Sequence, residues 1–182
     1  MTKNKRRLYI AYLSRKATKE NPIKFHTALL LSPKNPRVNS DEKVSKLFHV
    51  KDVLTSSGKP IWTFVVEEVQ ARPAQVVGIQ LLSKIPDILE DQALQEILAG
   101  VPLSPDATDP TWRCRHWIWK AVDALVEHKL IAPIPHDQTS EGVWNLGYAF
   151  LENVNHGDPY QEVPSCDVNG QPIGSELGSF QR

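Results

Sequence analysis

Val76-Val77-Gly78-Ile79-Gln80-Leu81-Leu82 is followed within a few residues by Pro86-Asp87-Ile88-Leu89-Glu90-Asp91-Gln92-Ala93-Leu94-Gln95-Glu96-Ile97-Leu98, and the apolar period changes between the two. The first is a short apolar run bounded by turn material, as expected of a strand; in the second, Ile88, Leu89, Leu94, Ile97 and Leu98 fall at helical spacings. Pro86 suits a first helical turn, and Gly100 with Pro102 ends the segment. Upstream of this switch the chain reads as strands, downstream as helices.

Working upstream, Arg7 to Leu13, Phe25 to Leu31, Lys46 to Lys51 and Ile61 to Glu68 are further strand candidates, with Ser56-Ser57-Gly58-Lys59-Pro60 as turn material. Downstream, a second helix is expected after Thr108-Asp109-Pro110, with Asp109 as cap and Pro110 in the first helical position, running to about Leu130. Its core stripe is Cys114, Ile118, Ala121, Val122 and Leu125, with Trp117 beside it. A third helix is expected over residues 139–154, against the propensity of Gly142 and Gly147. Strands followed by helices predict an α+β class: an antiparallel sheet of about five strands packed against two or three helices. The order disfavours a Rossmann fold, and no Gly-rich phosphate loop is present. Residues 1–154 are expected to form a single domain, and residues 155–182, poorer in apolar residues and richer in Gly, Pro and Ser, an extended or disordered tail.

A chain of 182 residues with 41% hydrophobic residues can bury a core without metal or disulfide staples. Its two cysteines, Cys114 and Cys166, are expected to be free thiols. No run approaches the roughly 18 apolar residues of a membrane span, and no apolar core follows the charges of Met1 to Arg7, so a cytoplasmic location is expected. Twenty-one Lys and Arg balance 21 Asp and Glu, but residues 1–24 hold eight of the cations and residues 131–182 seven of the anions. The two ends should attract weakly. Without interleaved aromatic and basic residues the basic arm reads as solvated surface, and no nucleic-acid partner is expected.

The chemistry concentrates in Cys114 near the start of the second helix, His26 in the second strand and His49 in the third. A cysteine at a helix N-terminus meets the positive end of the peptide dipoles, and Arg113 and Arg115 add charge, so its thiolate is favoured. A thiolate nucleophile needs a base and a group to orient that base, and histidines on neighbouring strands supply both. With a period of two, His26 shares a face with Ala28 and Leu30; packing that face on the second helix sets His26 opposite Cys114. The Cys114 N–H is a candidate oxyanion donor. Against this stand plainer readings: a buried cysteine as core filler, His116 as surface or packing, the tryptophans as packing, and Glu67-Glu68 and Glu90-Asp91 as solvated carboxylates. His128, His136 and His156 show no ligand spacing, and no metal or cofactor is expected.

A strand histidine, a second polar residue on the next strand and a late cysteine opening a helix resemble the circularly permuted papain-like fold of NlpC/P60 peptidases and lecithin:retinol acyltransferase-like proteins. Arg113-Cys114-Arg115-His116-Trp117 is similar to their Asn-Cys-Glu-His-Phe segment, departing from it at the two arginines. Phe25-His26-Thr27-Ala28-Leu29-Leu30, Phe48-His49-Val50-Lys51 and Thr111 to Trp117 also resemble the blocks of a family of small uncharacterised fungal proteins, over roughly residues 7–130. The resemblance implies Cys114 as nucleophile, His26 as base and His49 as the orienting third member. The expected function is cysteine-dependent acyl transfer on a small-molecule or peptide-like amide, ester or thioester, hydrolase and acyltransferase differing only in the acceptor. The alternatives are a catalytically inactive binding module of the same fold and a small-metabolite tailoring enzyme with non-hydrolytic chemistry.

Overall fold

The strand-to-helix switch holds in the computed structural model, which describes residues 5–15, 23–38, 40–86, 89–135, 137–154 and 162–177. Five strands come first: β1 (Lys5–Ser14), β2 (Phe25–Ser32), β3 (Ser45–Leu54), β4 (Pro60–Val69) and β5 (Val76–Pro86). Helices α1 (Asp91–Ala99), α2 (Cys114–Glu127) and α3 (Ser140–Glu152) follow, and then a short strand β6 (Ser165–Cys166). They form an α+β fold with one six-stranded sheet in the order β4-β3-β2-β1-β5-β6. Adjacent pairs are antiparallel except β5 and β6, which are parallel.

The central strands read as continuous apolar runs because both faces of the sheet are covered. One face, carrying Leu8, Ile10, Leu29, Leu31 and Phe48, packs on the α2 stripe of Trp117, Ile118, Ala121, Val122 and Leu125. The opposite face, carrying Tyr9, Ala11, Ala28, Leu30 and Leu47, is closed by Val163 and Leu177. Residues 162–177 therefore correct the expectation of an extended or disordered tail: β6 pairs with β5, and Val163, Cys166 and Leu177 are buried. Few apolar residues suffice there because each lands in a prepared surface. The remaining tail residues lie outside the described ones.

Three other expectations change. Pro86 ends β5, opposite Lys5, and α1 begins only at Asp91; Ile88 lies outside the described residues. Asp109 does not cap a helix but accepts from the Thr111 N–H at 2.8 Å and the Thr111 hydroxyl at 2.7 Å, closing a local turn. The α2 helix starts at Cys114, because Arg113 is extended (φ −147°, ψ 168°) and the His116 ring reaches back, its Nδ1 accepting from the Arg113 N–H at 2.8 Å. The charges read as solvated are in part engaged: Arg6 and Lys46 pair with Asp91, and buried Arg7 bonds Glu176 at 2.9 and 3.0 Å. Met1 to Asn4, His136 and His156 are not among the described residues.

The α3 helix keeps Gly147 because its backbone crosses β1 and β5 at close range. A Cβ at 147 would stand 2.3 Å from the Tyr12 hydroxyl and 2.4 Å from Gln80 Oε1. Both side chains are fully buried; Gln80 Nε2 donates to the Val143 carbonyl at 2.8 Å, and the Tyr12 hydroxyl lies 3.0 Å from the Trp144 carbonyl. An exposed helix would gain about 1 kcal/mol from Gly→Ala. Here the overlap displaces buried, bonded groups and costs about 1–3 kcal/mol. Gly147→Ala is therefore expected to lower the urea midpoint of unfolding; a raised midpoint would contradict the close packing.

Candidate active site

The site lies where the sheet splits. The β2–β3 ladder ends at Leu29 opposite Phe48, although β2 stays paired with β1 as far as Phe25 opposite Ser14, and β3 with β4 as far as Leu54 opposite Pro60. Beyond that last rung each strand follows its outer neighbour. His26 on β2 and His49 on β3 occupy the parted ends, and the N-terminus of α2 brings Cys114 to the same place.

This arrangement corrects the face argument for His26. Ala28 and Leu30, its partners in the period of two, belong to the face turned away from α2, whereas Thr27 is on the Cys114 side, with its hydroxyl 4.0 Å from Sγ. His26 nevertheless comes near the Cys114 thiol and acts on it electrostatically, because the split lets its ring lie in the seam between the two faces. It lines both a cleft of about 490 Å3 with Cys114 and Val50, and a cavity of about 500 Å3 on the other side with His49 and Leu13.

Two opposing influences act on Cys114. Burial is the larger single effect and pushes the thiol up, since only 6% of the residue is exposed. The hydrogen bond and charge of His26, with the Thr27 contacts, together outweigh it and bring the thiol from an ordinary 9.0 down to about 7. Cys166 has burial without such a partner and is pushed up to about 12. Both cysteines are reduced. The core-filler reading fits Cys166, which is fully buried in β6.

Behind the thiol stands a chain of imidazoles. His26 Nε2 lies 3.0 Å from His49 Nδ1, and His49 Nε2 lies 3.4 Å from Glu67 Oε1. His49 is 3% exposed, and burial first, then the charges of His26 and Lys51, bring it down to about 4. It is neutral at physiological pH. A carboxylate only accepts, so Glu67 favours the proton of neutral His49 on Nε2, although 3.4 Å is long and that nitrogen has no closer partner. His49 Nδ1 then accepts from the His26 Nε2–H, which leaves His26 Nδ1 with the lone pair that can take a proton from sulfur. Lys51 hydrogen-bonds Glu67 and is the leading cause that keeps its carboxyl ionised.

Glu67 is the member that reading the sequence passed over as solvated. Its signal was present in outline: Glu67 alternates with Val65 on β4, and Val65 is the residue paired with His49. Only the pairing register makes that alternation informative. His116, read as surface or packing, is half-buried and caps α2 instead, stacked on Trp112 with ring centroids 6.3 Å apart. It takes its place in the structure as the group that fixes where Cys114 sits.

The cleft is walled by Val50, Trp62, Ala107 and Thr108 and carries the charges of Arg15, Lys51, Asp52 and Arg113. Its volume lies in the range of small-ligand sites. Among the described residues no three His, Cys, Asp or Glu side chains gather as a metal-binding group, and no helix is long and apolar enough to cross a membrane. No curated protein and no solved structure matches the chain. Residues 5–165, which include every residue of the site, match DUF6914, and the chain belongs to this family of unknown function.

Proposed function

We propose that the protein is a cysteine-dependent acyl-transfer enzyme with a Cys114–His26–His49 site, built on a circularly permuted papain-like arrangement. The observation that carries this reading is that one imidazole, His26, whose Nε2 lies 3.0 Å from His49 Nδ1, lines the same cleft as the Cys114 thiol and helps to lower its pKa. His26 Nδ1 accepts the thiol proton, and sulfur attacks the carbonyl carbon of an amide, ester or thioester. The oxygen of the tetrahedral intermediate takes the negative charge, with the Cys114 N–H at the head of α2 as a donor. Collapse breaks the bond to the leaving group, which departs with the proton from His26, and leaves a thioester on Cys114. Water or another acceptor gives its proton to the same nitrogen, attacks the thioester and releases the acyl product, restoring the thiol.

In this cycle His49 and Glu67 are positioning residues, which hold His26 in one tautomer and one orientation. The 6% exposure of Cys114 favours a second reading, a binding module of the same fold in which sulfur is a wall of the cleft. Labelling by iodoacetamide across pH separates the two. The rate at Cys114 is expected to rise through a midpoint near pH 7, where the thiolate forms, while native Cys166 stays unlabelled until far more alkaline conditions. Incubation with a panel of esters, amides and thioesters should add one acyl mass to Cys114. A midpoint near 9 with no adduct from any of them would eliminate the enzyme reading.

A further inference from the structure

We propose that the Thr27 hydroxyl is a further catalytic group of this site, donating a hydrogen bond to the Cys114 sulfur whenever that sulfur carries charge. The inference rests on the nucleophile reading and deepens it. On β2 the residues turned toward α2 are Phe25, Thr27, Leu29 and Leu31, and the other three are buried in the apolar core. Thr27 is only 1% exposed, so its hydroxyl is out of reach of water. A valine would fill nearly the same volume with no polar atom to satisfy, and a buried hydroxyl is costly unless it is bonded. Among the described residues that hydroxyl has a single hydrogen-bond partner, the Cys114 sulfur at 4.0 Å. Packing does not account for the oxygen; the sulfur does.

The parting of the strands explains how the contact arises. Thr27 is paired with Tyr12 of β1 but lies beyond the last rung to β3, and Cys114 at the head of α2 meets it there. Cys114 and His26 line the cleft and Thr27 does not, so the hydroxyl approaches the sulfur from the sheet and leaves the cleft side to the acyl group. In the neutral pair either atom can donate. Once the thiol proton has gone to His26 only the hydroxyl can, and a hydrogen bond to a charged acceptor is stronger than one between neutral groups. Thr27 is among the groups that pull the thiol down against its burial. The same donor serves the second half of the cycle. As the acceptor attacks the thioester and the carbon–sulfur bond breaks, the bonding pair returns to sulfur, where the Thr27 O–H meets it; the proton that His26 took from the acceptor then passes to sulfur. A thiolate that is stabilised in this way is the better leaving group.

The test follows iodoacetamide labelling of Cys114 by mass across pH, on the full chain, in the parent, Thr27→Val and Thr27→Ser. Thr27→Val removes the oxygen and keeps the shape. Its labelling midpoint is expected about one pH unit above the parent's, so that the rate on the acidic limb falls about tenfold while the alkaline plateau changes by less than about threefold. Thr27→Ser keeps the oxygen and is expected to hold the parent's midpoint. Thermal unfolding of both variants is expected to stay close to the parent's, and should Thr27→Val fail to fold, Thr27→Ala carries the same expectation for the midpoint. A Thr27→Val midpoint equal to the parent's overturns the proposal. So does a Thr27→Ser midpoint as high as that of Thr27→Val, because the shift would then follow the packing and not the oxygen. A parent midpoint near 9 removes the nucleophile reading and this proposal with it, whereas a parent midpoint near 7 that Thr27→Val leaves in place removes this proposal alone.

Discussion

Cys114→Ala is expected to abolish acyl-enzyme formation and to reduce turnover to background, while the far-UV spectrum and the unfolding midpoint stay close to those of the parent. The side chain is small and loses only one heavy atom, so the cost to packing is slight, whereas no other described group in the cleft can form the thioester. Cys166 is too deeply buried to substitute. His26→Ala should cost about 10²–10⁴-fold in kcat, the usual share of a general base. His49→Ala should cost less and Glu67→Gln least, because each acts through the imidazole in front of it. The order matters as much as the sizes: a wall-forming cysteine would give no such gradient, and Cys114→Ala would keep full function. Steady-state kinetics on the first ester or thioester that acylates the protein, with circular dichroism on each variant, decides between them.

Ending the chain at residue 161 is expected to produce the largest loss of stability. Val163, Cys166 and Leu177 are all at most 1% exposed, and burial of side chains of this kind is worth about 1.5–3 kcal/mol each for Val and Leu. Their removal also uncovers Tyr9, Ala11 and Leu30 on the central strands and leaves Arg7 without Glu176. Glu176 is 26% exposed, so losing it costs less than the about 3–5 kcal/mol of a fully buried pair, but it leaves the buried Arg7 guanidinium without its carboxylate. The sum approaches the roughly 5–15 kcal/mol by which a domain of this size is stable. Loss of a cooperative thermal transition and binding of a hydrophobic dye are the expected signs. A shortened chain that melts at the parent temperature would show that residues 162–177 rest on the sheet without stabilising it.

The parts of the site differ in how far they could be read from the residues. A cysteine opening an amphipathic helix and a histidine in each of two successive strands are visible as types in an order, and the structure brings all three together. The way they meet was not visible. Alternation along β2 places His26 with Ala28 and Leu30, on the side away from α2, and it enters the cleft of the sulfur only because the β2–β3 ladder stops at Leu29 and Phe48. Glu67 depends on the same geometry, since a carboxylate on β4 becomes part of a relay only when the strand register sets it beside His49.

What the amino-acid sequence determined by itself was the α+β class, the first five strands and the three helices, because apolar periodicity and turn chemistry are local properties that neighbouring residues carry. Tertiary structure alone decided the sixth strand, the toleration of Gly147 inside a helix and the seam that sets His26 beside the cleft of the thiol. Each of these depends on surfaces brought together from distant parts of the chain, where the energy of one contact outweighs a propensity of about 1 kcal/mol or less.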